Sequence, residues 1–271
     1  MTGSSGVRPA PGPDQPHIPV RLVTFNTHHG VGEDARHDLP RLAKLLHSVE
    51  ADVICLQEVD RHYGARTEEV DQALLLSRAL DMQLAWGPAI DEPGPKGKPH
   101  RQYGNALLSR LPVLVSDVHQ LPGGGEPRCA LRTMIELDGG ALWVTNTHLT
   151  TRSAEERAMQ VATIADLHTE PMETGVLVGD FNTTPDAPEL GRLRERFTDA
   201  WHLAQARDDQ AGWRFWRGDD GDTFPARSPR KRIDQAWVSG GVAVAAAQVV
   251  DNEGASDHLP LVLDLEVRSG V

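Results

Sequence analysis

Val176-Leu-Val-Gly-Asp-Phe-Asn182 is a short apolar run that stops at a glycine and continues into an acid, an aromatic and an amide. Val176 to Val178 is too short and too β-branched for a helix and reads as a fully buried strand. Asp180 and Asn182 fall where that strand emerges at a sheet edge, two residues apart and so on the same side. A carboxylate and an amide there are costly to bury without partners. One reading is an Asx-type turn that closes the strand. The other is a polar site, and the remaining strand ends of the chain bear on the choice.

The same pattern occurs earlier. Residues 20–25 alternate and are β-branched, and the strand they predict runs into Asn26-Thr-His-His-Gly30. Asp38 and Pro40 mark a helix start, with Leu39, Leu42, Leu46 and Val49 on one face. Residues 51–56 form a second buried strand, which ends in Gln57-Glu58. In the other half, residues 141–145 lead into Asn146-Thr-His148, and Ser153 with Glu156 makes a capping box. A helix with Ala154, Ala158, Val161 and Ala165 on one face then precedes the Val176 strand. Each half reads strand, Asn-Thr-His, helix, strand, acid. Two such units around one core predict a four-layered α/β sandwich, two mixed β-sheets face to face with helices outside.

Elsewhere the sequence predicts a helix over 68–80 with Val70, Leu74 and Leu75 inward, and a Pro/Gly loop over 87–98. Strands are expected at 104–109, 113–118, 232–238, 242–250 and 259–265, and a helix at 190–196. Residues 20–271 read as one domain. Residues 1–19 are rich in Gly, Ser and Pro without the apolar centre of a signal peptide, and are expected to be a disordered tail.

A chain of 271 residues, 39% of them hydrophobic, can bury a sizeable core. Its net charge of -12 weighs against generic coating of nucleic acid and leaves open local phosphate binding through a metal or a basic pocket. Two cysteines, Cys55 and Cys129, make no disulfide framework. Cys55 lies in an apolar run and reads as a buried thiol, which suits a reducing, cytoplasmic location. No stretch is long and apolar enough to span a membrane, and a monomer is expected.

Six segments place polar residues at strand ends: Asn26; Glu58; His148; Asp180 with Asn182; Asp234; and Asp257 with His258. Together they suggest one shared polar cavity. Carboxylate and amide oxygens suit magnesium or manganese, and the lack of clustered cysteines argues against structural zinc. Histidines beside free acids suit proton transfer.

In this order, Thr24-Phe-Asn26, Leu56-Gln-Glu58, Gly104-Asn-Ala-Leu-Leu-Ser109, Asn146-Thr-His-Leu149, Gly179-Asp-Phe-Asn182, Arg232-Ile-Asp234 and Ser256-Asp-His258 resemble the motifs of the endonuclease/exonuclease/phosphatase superfamily, which has the DNase I-like fold. They cover nearly all of the chain after residue 19. The resemblance implies a magnesium-dependent phosphoesterase in which Asn26, Glu58 and Asp257 are metal-site positions, Glu58 being the principal ligand. It implies that His258 is the general base and Asp234 the acid that orients it. Asp180 matches the residue that positions the nucleophile or protonates the leaving group, and Asn182 and His148 match donors to phosphoryl oxygens. Phosphoryl transfer needs mainly positioning and charge neutralisation, which such a set supplies.

The pattern departs from the abasic-site endonucleases. His28 stands where they carry an Asp, and the Asn146-Thr-His-Leu strand is not theirs. Both departures point toward the sphingomyelinase- and phosphatase-like branches. Gln235 stands where many members have an aromatic residue. The expected substrate is therefore a phosphodiester or phosphomonoester of a small or lipid-linked molecule, cleaved by water; the alternative is a magnesium-dependent endo- or exonuclease. Duplex DNA is not the expected partner.

Other residues keep two readings. His28 and His29 either support the metal site or face solvent. Asn105 caps a turn or touches substrate. Arg128 and Arg132 are surface charges or phosphate contacts. Arg227, Arg230, Lys231 and Arg232 form a solvated loop or a phosphate clamp. Asn105, Arg128, Arg230 and Arg232 are the substrate-binding candidates. Trp213, Phe215 and Trp216 are core, an apolar lip, or a stacking platform.

Overall fold

Strand β1 (His17–Asn26) sends alternate residues into two cores, Val20 and Leu22 into one and Val23 and Phe25 into the other. The computed structural model describes residues 17–168, 173–210 and 220–269. In it β1 lies between β12 (Leu261–Arg268), which is antiparallel, and β2 (Val53–Arg61), which is parallel. With β3 (Gln83–Glu92), β4 (Arg101–Ser109) and β11 (Val242–Val249) they form a six-stranded sheet in the order β11-β12-β1-β2-β4-β3. The second sheet holds β5 (Val113–Leu121), β6 (Arg128–Leu137), β7 (Gly140–His148), β8 (Gly175–Asp180), β9 (Thr198–Asp199) and β10 (Asp234–Ser239), in the order β5-β6-β7-β8-β10-β9.

Each sheet has one parallel pair, and a parallel pair needs a crossover. Helix α1 (Leu39–Ser48) supplies it between β1 and β2, and α3 (Ala154–Leu167) between β7 and β8. The runs β12-β1-β2-β4 and β6-β7-β8-β10 repeat one pairing scheme: antiparallel, parallel, antiparallel. The pseudo-repeat seen in the sequence is thus a repeat of structure.

Between the sheets Val20, Leu22, Val53 and Leu107 meet Leu131, Val144, Val176 and Val238. Outside the first sheet, α1 and α2 (Gln72–Leu80) cover Val23, Phe25, Ile54 and Leu56. Outside the second, α3 covers Leu177, Phe181 and Trp237. This is an α/β fold of two mixed sheets flanked by helices. The α1 start is capped as expected, Arg41 N donating to Asp38 Oδ1 at 2.9 Å, an interaction worth about 1 kcal/mol. The helix expected at 190–196 is the short α4 (Gly191–Arg194), and a fifth, α5 (Ala200–Gln210), was not legible in the sequence; its Ala200, Trp201 and Ala204 join the core between the sheets.

Several local expectations change. The 68–80 helix begins only at Gln72, because Asp71 caps Leu74 N and Glu68 and Glu69 are left-handed. Ala73, Leu76 and Leu80 face inward, whereas Leu75 is 43% exposed. Half of the expected 87–98 loop is strand: β3 continues to Glu92 because Gly104 lets Gly87 O approach to where a Cβ would lie at 2.1 Å. Pro88 is tolerated there because β3 is an edge strand with a register shift. Only half of the capping box forms. Ser153 Oγ accepts from Glu156 N, but the Glu156 carboxylate accepts instead from Gly124 N at 2.8 Å. Strand β1 starts at His17, inside the stretch expected to be tail. The segment of Trp213, Phe215 and Trp216 lies outside the described residues. No helix among the described residues is long and apolar enough to cross a membrane.

Candidate active site

The register brings the polar strand ends together. His148, Asp180 and Asp234 are consecutive partners across β7, β8 and β10. Asn26 ends β1 opposite Gln57 of β2, and the loop before β12 brings in Asp257 and His258. The approach of β8 to β7 depends on Gly179, where a Cβ would lie 1.8 Å from Thr147 O. Glu58 is aimed by an irregularity: the β2–β4 register shifts between Leu56 and Val59, and Glu58 takes φ 55°. Bulges commonly re-aim a side chain beside an active site. Asn182, His28 and His29 are also left-handed. Such conformations in residues with side chains cost on the order of 1–3 kcal/mol each and gather at functional sites.

Asp180 serves both readings of the opening stretch. Its Oδ1 accepts from Asn182 N at 2.9 Å, closing an Asx turn. Its Oδ2 accepts from Asn26 Nδ2 at 3.0 Å and lies 3.5 Å from His148 Nε2 and 3.8 Å from His258 Nε2. Burial, then the nearby Asp234 charge, pushes the Asp180 carboxyl up to about 7. Asn26 Nδ2 also faces Glu58 Oε1 at 3.2 Å, and His29 Nδ1 lies 3.5 Å from Glu58 Oε2. Burial opposes ionisation of Glu58, but His29, the charge that His148 carries only in acid, Asn26 and His28 outweigh it, and the carboxyl lies well below the usual range.

His258 Nδ1 donates to Asp234 Oδ2 at 2.8 Å, and Thr223 Oγ1 donates to the same oxygen at 2.5 Å. Burial works against the charged imidazole, but Asp234, Asp180 and Asp257 raise it to about 10. His148 goes the other way: burial, then the charge of Arg128, lowers it to about 3, so it is neutral near pH 7 and its Nε2 accepts from Asn182 Nδ2 at 3.0 Å. Asn182 Nδ2 donates to Leu149 O as well, at 2.9 Å.

Asp180, Asp234 and His258 each offer a ligand atom within 4.8 Å of the others, a group able to hold a metal ion. Asp234 Oδ1 is buried there without a hydrogen-bond partner. Asn26 bridges this group to Glu58, and Asp257, with its side chain 42% exposed, stands 3.9 Å from His28 Nδ1. These donors are chiefly carboxylate oxygens, which fit a hard divalent cation.

The substrate-binding candidates are dispersed. Arg128 is nearly buried, close enough for its charge to act on His148, paired with Glu126, and its Nε has no partner. Asn105 is buried, its Nδ2 donating to Cys129 O at 3.0 Å. Arg232 is held by both oxygens of Asp199, at 2.8 and 2.6 Å, and Arg227 by Glu33 at 3.0 Å. Arg230 is exposed on the turn. Arg132 lies over Trp143 at 3.6 Å and pairs with Glu173 at 2.7 Å.

Three contributors were given no role in the sequence. Thr223 fixes Asp234 from eleven residues away. Gln235, the unexplained departure from an aromatic, donates to Thr183 O at 2.6 Å and accepts from Trp237 Nε1 at 2.9 Å, tying the loop after Asn182 to β10. Asn146 bridges the sheets: it accepts from Gln57 Nε2 at 2.7 Å and donates to Leu56 O and Ala106 O at 3.0 and 2.9 Å. Repetition of Asn-Thr-His was the available hint to Asn146.

The model of the Endonuclease/Exonuclease/phosphatase family matches residues 23–258, from within β1 to His258. The chain belongs to this family. It is similar to YbhP of Escherichia coli K12, 29% identical over 276 residues, covering 94% of this chain and all of that one. A family structure from Beutenbergia cavernae superposes with TM-score 0.76 at 27% identity, covering 92% of this chain and 72% of that one. The mannosyl-6-phosphatase Bt3783 of Bacteroides thetaiotaomicron, at 16% identity and TM-score 0.68 over 91% of this chain and 99% of that one, shows the shared fold alone. Family membership and the acid–histidine cluster support a metal-dependent phosphoesterase in general, and single out none of the family's branches.

Proposed function

We propose that the chain is a magnesium-dependent hydrolase of small or lipid-linked phosphoesters, of the phosphatase- and sphingomyelinase-like kind, acting in the cytoplasm as a monomer. The observation that carries the reading is the Asp234–His258–Asp180 array set against Asn26 and Glu58 at one end of the sandwich. Glu58, Asn26 and Asp257 would hold the cation, whose charge supplies the neutralisation that phosphoryl transfer needs. Manganese would serve the same oxygen donors.

The residues divide the work. Asp234 holds the imidazole by Nδ1 with Nε2 toward Asp180; the same acids keep His258 protonated near pH 7 in the free protein, and Nε2 takes a proton from the attacking water once it has given up its own, which a bound cation among these acids would favour. The water oxygen bonds to phosphorus as the ester P–O bond breaks. The departing oxygen keeps the electron pair and takes a proton from Asp180, whose carboxyl burial and Asp234 raise to about 7, so that a share of the molecules carry it near neutral pH. Asn182 gives both amide hydrogens to His148 Nε2 and Leu149 O and so fixes the neutral His148, whose Nδ1–H is left to donate to a phosphoryl oxygen.

Charge supports a small substrate over a duplex. A nuclease tracking a backbone needs a basic groove, yet the net charge is -12 and Arg227 and Arg232 are each engaged by an acid. A substrate panel with magnesium tests the reading: a phosphorylcholine lipid, inositol phosphates, sugar phosphates, a nucleotide, and single-stranded and abasic duplex DNA, each repeated in excess chelator. Hydrolysis of a small or lipid-linked ester that stops with chelator is expected. Fastest turnover on DNA, or activity that persists in chelator, would overturn it.

A further inference from the structure

Two consecutive histidines, His28 and His29, are left-handed directly after β1, at φ 46° and 44°. Residues with side chains seldom adopt this conformation singly and less often in a row. The surroundings impose it. Asn26 Oδ1 accepts from His28 N at 3.0 Å, and Gly30 N donates to Thr27 O at 2.8 Å. The buried Gln72 donates through Nε2 to His29 O at 2.7 Å, and its own Oε1 accepts from Asp60 N at 2.8 Å.

This turn sets the His29 ring against Glu58. His29 Nδ1 is buried without a hydrogen-bond partner, and Glu58 Oε2 lies 3.5 Å from it. The other oxygen, Glu58 Oε1, accepts from Asn26 Nδ2 at 3.2 Å. His28 has a different neighbour: its Nδ1 faces Val31 O at 3.1 Å, on a side chain 38% exposed.

We propose that His29 is a positioning residue for Glu58. Its Nδ1–H and the Asn26 amide bracket the two carboxylate oxygens, so that Glu58 meets the cation in one orientation. The inference rests on the assignment of the cation to Glu58. A backbone that left the left-handed region at His29 would swing the imidazole off the carboxylate, which gives the conformation its purpose. Partners that orient a metal-binding side chain typically change metal affinity about 10–100-fold when removed.

The test is isothermal titration of Mg²⁺ and of Mn²⁺ into the full chain, with thermal unfolding midpoints, for the wild type, His29→Gly, His29→Asn and Glu58→Gln. Glycine keeps the backbone conformation without the ring, and asparagine tolerates it while keeping an N–H donor. His29→Gly is expected to weaken both cations about tenfold or more with an unchanged or higher midpoint, and His29→Asn to stay within about threefold of the wild type. Wild-type binding by His29→Gly would overturn the proposal. So would a loss far larger for Mn²⁺ than for Mg²⁺, the mark of a lost nitrogen ligand. Wild-type binding by Glu58→Gln would instead overturn the assignment of the cation to Glu58, so the two failures are distinct.

Discussion

His258 Nδ1 donates to Asp234 Oδ2 at 2.8 Å, and neither side chain is more than 7% exposed. The Asp234–His258 pair is therefore set before any substrate arrives. Asp234→Asn removes the charge that orients and stabilises the imidazolium, and turnover is expected to fall about 10²-fold or more, the scale of acid–base catalysis. Half-saturation by metal should hardly move. A parallel loss of metal affinity would mean that Asp180, Asp234 and His258 themselves hold the ion.

Glu58 and His258 should fail in different ways. Glu58→Gln is expected to raise the metal concentration for half-maximal activity about tenfold or more. His258→Ala should abolish turnover while calorimetry still shows the metal bound. Loss of metal binding in His258→Ala would defeat this division of roles.

Asn146 joins β7 to β2 and β4 through three hydrogen bonds. Asn146→Leu keeps a similar volume but takes one acceptor from Gln57 Nε2, which retains Thr24 Oγ1 and Cys55 O, and removes the side-chain donor from two carbonyls inside the sandwich. A loss of about 2–4 kcal/mol is expected in denaturant unfolding. An unchanged midpoint would show that the buried amide is dispensable.

Glu173 accepts from Arg132 at 2.7 Å and pairs with His168 at the far end of the second sheet from the candidate site. Burial opposes its ionisation, but His168 and Arg132 outweigh burial and hold the carboxyl below its ordinary 4.5. A depressed folded-state value means that the ionised Glu173 stabilises the fold above about pH 4.5, and that this contribution fades as pH falls through the folded value. Glu173→Gln should thus cost about 3 kcal/mol at pH 7, by stranding Arg132, and progressively less below pH 4.5. A difference independent of pH from 7 to 3 would refute it.

Much of the candidate site was legible because its residues interrupt strong strand patterns. Asn26, Glu58, His148, Asp180 and Asp234 each follow or open an apolar run, and a strand end is a geometric address that sequence can supply. The basic run of residues 227–232 was not legible in this way. Whether a surface arginine meets phosphate or protein depends on which acid the fold brings near, and here Asp199 and Glu33 stand beside Arg232 and Arg227. Leu75 misled for a related reason: helical spacing is informative only once the cap at Asp71 sets the helix start.

By itself the sequence determined the α/β sandwich, its two-fold repeat and the strand ends that carry acids, amides and histidines, because periodicity and punctuation are local properties of the chain. Only the tertiary structure decided what those groups do to one another. Burial and neighbours separate two histidines of the same chemistry, His148 lowered to about 3 and His258 raised to about 10. The β2 bulge and the left-handed His28–His29 turn place Glu58 between Asn26 and His29. Such effects act through space over a few ångströms between residues tens to hundreds apart in sequence, and they exist only once both sheets have closed on their common core.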